Sequence, residues 1–113
     1  MTAEEFRTIA LSLPETVESS HMGHPDFRVA GKIFATLGMP DHAHGMVKLA
    51  PEEQARVIAL APSTFKPAPG AWGRGGSTYV LFSTIEDDHL RPLLIHAWRK
   101  TAPQRLQHLL AAE

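Results

Sequence analysis

The chain has 113 residues, 43% of them hydrophobic and 20% charged, with a net charge of −1 and no cysteine. That length fits one domain around one hydrophobic core, and that composition excludes the disordered and fibrous classes. The near-neutral charge argues against the indiscriminate nucleic-acid affinity of a markedly basic domain, and the missing thiols exclude disulfides, thiolate metal sites and cysteine nucleophiles. No apolar run approaches a membrane span. The opening Thr2-Ala3-Glu4-Glu5 lacks the basic and apolar regions of a secretory signal, so a single cytoplasmic domain over residues 1–113 is expected.

Thr2 followed three residues later by Glu5 forms a capping box, and Phe6, Ile9, Ala10 and Leu13 recur at helical spacing until Pro14 ends the first predicted helix. Glu15 to His21 reads as a short strand or extended edge. From His24 to Leu37 two strands flank Ala30-Gly31, where glycine supplies the positive φ that a tight hairpin needs. Phe27 and Val29 share one face, as do Ile33, Ala35 and Leu37, while Phe34 points the other way and suggests a strand covered on both sides. After a polar loop from Gly38 to Gly45, Met46 to Leu49 gives another strand, making an antiparallel meander.

Pro51-Glu52-Glu53 opens a second helix that ends by Pro62. Between Pro67 and Gly76 six of ten residues are glycine or proline, a shaped loop that carries Trp72 and Arg74. It runs into a strand with Thr78, Val80 and Phe82 on one face and Tyr79 and Leu81 on the other. Two readings of the loop stand side by side. Arginine on a glycine-rich loop suits a phosphate or another anion, and Trp72 as a plug folded over the core explains the same residues. Leu90, Leu93, Leu94, Ala97 and Trp98 then mark the principal core helix, with Pro92 either in its first turn or at a kink. Leu106, Leu109 and Leu110 form a short terminal amphipathic piece.

Charge is unevenly spread along the chain. Between Pro62 and Ile85 there is no acid, only Lys66 and Arg74, and between Leu93 and Ala112 come Arg99, Lys100 and Arg105 without an acid. Among the seven histidines, His21 and His24 form an HxxH pair and His42 and His44 an HxH pair. Nothing in the sequence brings the two pairs together, so they read as exposed or turn histidines, and neither a metal nor a cofactor is expected. His89, His96 and His108 sit in helical segments, where packing or helix-end placement accounts for them. Glu86, Asp87 and Asp88 read as helix-start acids. No serine sits in a nucleophile elbow and no phosphate-loop glycine motif is present, so the chain is not expected to be an enzyme.

Gly23-His24-Pro25-x-Phe27-Arg28-Val29-x-Gly31-Lys32-Ile33-Phe34-Ala35, the Val47-Lys48-Leu49 strand, Pro69-Gly70-x-Trp72-Gly73-Arg74 and Ala97-Trp98-Arg99 before Ala102-Pro103 follow one another in an informative order. Over essentially its whole length the chain resembles the MmcQ/YjbR family. The resemblance implies a small α+β domain of the double-wing kind, with N-terminal and C-terminal helices packed on an antiparallel sheet of about four or five strands, and a DNA-binding role. The family's Trp-x-x-x-Gly is usually followed by an aromatic and then threonine; here Ser77 precedes Thr78. The expected nucleic-acid-binding residues are Arg28 and Lys32 at the hairpin, Lys48, and Trp72 with Arg74 at the glycine-rich loop. The alternative expectation is a domain for a small anionic ligand or a protein partner.

Overall fold

The computed structural model describes residues 1–110. Helix α1 (Ala3–Leu11) starts as the capping box dictates: Thr2 Oγ1 accepts from the Glu5 N–H at 3.1 Å, and Glu5 Oε1 accepts from the Thr2 N–H at 3.0 Å. Strands β1 (Thr16–His21), β2 (His24–Val29) and β3 (Lys32–Leu37) follow as two tight hairpins. Met22 and Gly23 turn the first at φ 51° and 81°, and Ala30 and Gly31 turn the second at φ 51° and 79°. Positive φ at both central residues is what a two-residue hairpin with right-twisted strands requires.

Strand β4 (His44–Lys48) joins β3, and helix α2 (Pro51–Leu60) leads to β5 (Phe65–Pro67) and the short α3 (Gly70–Arg74). Strand β6 (Ser77–Leu81) inserts between β4 and β5, giving a six-stranded antiparallel sheet in the order β1-β2-β3-β4-β6-β5. The strand beyond the five expected is β5. It hides in the proline-rich stretch and is possible there because Pro67 ends an edge strand, where a missing N–H costs no ladder bond. Helix α4 (Asp87–Thr101) and a 3-10 segment (Gln104–Leu109) complete the described chain. Pro92 lies inside α4, beyond its first turn.

The alternation of each strand sorts residues onto two faces. Phe27, Ala35, Val47 and Val80 join one core cluster with Phe6 and Ala10 of α1 and Leu90, Leu94 and Trp98 of α4. A bulge changes the pattern in β3: the register passes from Phe27 opposite Ala35 to Arg28 opposite Ile33, leaving Phe34 as the extra residue. Phe34 and Ala35 are therefore both buried in the same core, and Phe34 does not mark a second covered face. Gly45 belongs to β4 because any side chain there would meet Phe6; an added Cβ would lie 2.8 Å from Phe6 Cε2. The indole N–H of the fully buried Trp98 donates to Pro14 O at 2.9 Å and ties α4 to the end of α1. The other face carries a row across all six strands: Ser19, Asp26, Thr36, Met46, Tyr79 and Lys66.

Candidate nucleic-acid interface

Strand direction decides which cations meet. Lys32 opens β3 beside the Ala30–Gly31 turn, β4 runs antiparallel to it and ends at Lys48, and Ser77 opens β6 opposite Lys48. Helix α3, which ends at Arg74, enters β6 from the same end of the sheet. The last turn of α4 adds Lys100, close enough that its charge acts on Lys48. Lys48 is partly buried, and burial first and Lys100 second hold its ammonium below the usual lysine pKa. Among the described residues, none of Lys32, Lys48, Arg74 or Lys100 forms an ion pair with a carboxylate.

The glycine-rich stretch holds the short α3 and is fixed at several points. Gly76 has φ +113°, and a Cβ there would lie 1.7 Å from Leu49 O; the Leu49 N–H donates to Gly76 O at 3.1 Å. A Cβ on Gly73 would lie 1.8 Å from Ala68 O. These two glycines let backbone pack on backbone. Gln54 of α2 directs its side-chain amide at Gly73 O, Ser77 O and Thr78 Oγ1, at 3.0, 3.2 and 3.2 Å. Trp72 does not plug the core: it is 74% exposed on α3, with Arg74 exposed two residues on.

Arg28 is placed differently. It lies on the face of β2 that also bears Asp26, and its Nε and guanidinium nitrogen reach Asp26 Oδ1 and Oδ2 at 2.8 and 3.0 Å. Asp26 is fully buried and also meets His21 Nδ1 at 2.7 Å. The Arg28 hydrogen bond is the main cause that holds this carboxyl below its usual range. A guanidinium committed to a buried carboxylate has little charge to offer a phosphate. Of the five residues singled out from the sequence, Lys32, Lys48, Trp72 and Arg74 lie toward one end of the sheet, and Arg28, near the same turn, is set apart by its ion pair with Asp26. Lys100 is the addition; its sequence signal is the acid-free run after Leu93.

Two other features bear on alternative chemistry. A groove of about 390 Å³ between α2, β5 and the start of α4 is lined by apolar residues such as Val57, Phe65 and Leu93, with Glu53 and Glu86 among its polar groups. Its one arginine, Arg56, is held by Glu53. Glu86, Asp88 and His89 bring ligand atoms within 4.8 Å of one another at the exposed start of α4, the usual place for helix-start acids. His96 is structural: its Nε2 accepts the N–H of Ala50, which precedes α2, at 3.1 Å.

The whole is an α+β domain in which helices and an antiparallel sheet enclose one core, with Lys32, Lys48, Arg74 and Lys100 at one end of the strands and without ion pairs among the described residues. A model of the YjbR family matches residues 11–100, and the chain belongs to that family. It is also similar in structure to the Deinococcus radiodurans protein DR2400, which has a DUF419 domain. That likeness has a TM-score of 0.76 at 15% sequence identity and covers 97% of this chain and 82% of the other. At that identity the likeness is one of fold. No curated protein matches the sequence.

Proposed function

We propose that the domain binds nucleic acid, with duplex DNA as the leading substrate, through the end of the sheet that presents Lys32, Lys48, Arg74 and Lys100. The observation that carries this reading is the pair Lys48 and Lys100, close enough for one charge to act on the other, with Lys32 and Arg74 at the same end of the sheet and none of the four in an ion pair among the described residues. An anion placed between Lys48 and Lys100 relieves their mutual repulsion and restores solvation that burial has removed from Lys48. Positioning by phosphate contact suits such a surface, and the exposed indole of Trp72 is available to stack on an unpaired base. With a net charge of −1, binding is local to this end and modest in strength.

Fluorescence anisotropy with labelled duplex and single-stranded DNA over a salt series tests the reading. Binding should weaken linearly in log affinity against log salt, and Lys48→Ala or Arg74→Ala should each lower the slope by about 0.9 for one lost duplex phosphate contact. Absence of wild-type binding to either DNA at low salt, where phosphate attraction is strongest, overturns the proposal.

A further inference from the structure

The opposite end of the sheet gathers four of the seven histidines. The β1–β2 register sets His21 opposite His24, and the Gly38 N–H donates to His44 O at 3.0 Å across the β3–β4 end. His42 lies in the intervening loop. These four imidazoles divide into two kinds. His21 Nδ1 lies 2.7 Å from Asp26 Oδ2, and His44 Nδ1 lies 2.7 Å from Asp41 Oδ1, so a carboxylate fixes each ring and leaves its Nε2 free.

His24 and His42 make no side-chain hydrogen bond among the described residues. Both turn Nδ1 toward Gly38: a Cβ on that glycine would stand 3.4 Å from His24 Nδ1 and 3.9 Å from His42 Nδ1. Both also line one small cavity of about 190 Å³, alongside Leu37, Gly38, Phe82 and Arg7, whose guanidinium is paired with Glu4 and Glu18. The rings of His21 and His24 are 6.3 Å apart between centroids.

We propose that His24 and His42 are the protein ligands of a divalent transition-metal site. Neutral imidazole nitrogens suit Zn²⁺, Ni²⁺ and Cu²⁺, whereas Mg²⁺ and Ca²⁺ call for oxygen ligands. Closing the site requires His42 to change rotamer. That ring is exposed and unbonded, so the change breaks no contact that burial would make costly. Bound metal would tie the loop between β3 and β4 to the β1–β2 hairpin. One histidine of each sequence motif, His24 of HxxH and His42 of HxH, faces Gly38.

Isothermal titration calorimetry of the full chain with ZnCl₂ at about pH 7.5 provides the test, with melting temperature as a second readout. One saturable equivalent is expected, with a zinc-dependent rise in melting temperature, and His24→Ala and His42→Ala should each weaken binding by about tenfold or more. His89→Ala, which alters only the exposed cluster on α4, should leave it unchanged. His24→Gln serves if the alanine variant misfolds, and circular dichroism confirms the fold of each variant. No saturable heat, binding that survives both substitutions, or binding lost with His89 overturns the proposal. The site is independent of the nucleic-acid reading, since none of its ligands lies at the cationic end.

Discussion

At the Lys48 end of the sheet, Lys32, Lys48, Arg74 and Lys100 have no ion-pair partner among the described residues, whereas Arg7 of α1 and Arg28 of β2 do. Arg28 and His21 both hold Asp26, Arg7 holds Glu18 at 2.8 Å as well as Glu4, and, on the loop before β4, His44 holds Asp41. Arg28 and Lys32 are four residues apart on one hairpin, yet one is neutralised by a buried carboxylate and the other is not. Asp26 sits two residues from Arg28 on the same strand, and strand alternation puts them on the same face. A cation's availability is therefore set by the face it shares and the carboxylate opposite it.

Four substitutions break or sharpen this contrast, taken here from the largest effect down. Both ends depend on the same core, so Trp98→Ala should lower unfolding free energy by roughly 3–5 kcal/mol and weaken both ends together. A urea-denaturation midpoint equal to the wild type's would refute the central role given to the indole. Gly76→Ala should act mainly on the cationic end, because the added methyl meets Leu49 O at a left-handed position. A loss of roughly 2–3 kcal/mol is expected, and a variant as stable as the wild type in the same denaturation series would show that the contact relaxes freely.

Asp26→Asn should cost about 1–2 kcal/mol at neutral pH by replacing charge-assisted hydrogen bonds with weaker ones. The folded pKa of Asp26 is depressed, so its contribution is present above the unfolded carboxylate's pKa and is lost as pH falls through the folded one. Stability profiles of the wild type and the variant should therefore converge in acid; profiles that stay parallel from neutral pH into acid would remove Asp26 as the cause. Arg74→Ala is the smallest change: stability within about 0.5 kcal/mol of wild type, with the loss confined to DNA affinity and its salt slope. A drop in melting temperature as large as that of Gly76→Ala would instead make Arg74 part of the scaffold.

Much of the fold is legible in residue order. The Thr2 and Glu5 box, the Ala30-Gly31 turn, Pro51 at the start of α2 and the apolar stripe ending at Trp98 are local signals, each fixed by backbone propensity or helical periodicity. The bulge at Phe34 was not legible, because an inserted residue looks the same as continued alternation until the partner strand is known. Nor was the role of the glycines at 73 and 76, which clear space for Ala68 and Leu49 instead of a ligand. Trp72 had two readings in sequence, and its exposure on α3 excludes the plug.

By itself the sequence determined the α+β class, the family and the candidate cations Lys32, Lys48 and Arg74, because composition, periodicity and motif order are properties of the chain read locally. Only the tertiary structure decided that Lys100 joins Lys48, that Arg28 is spent on Asp26, and that His24 and His42 face the same glycine. Those relations span strands and helices far apart in sequence. Their physical cause is the register of the sheet and the docking of α4, which fix distance and face where residue order fixes neither.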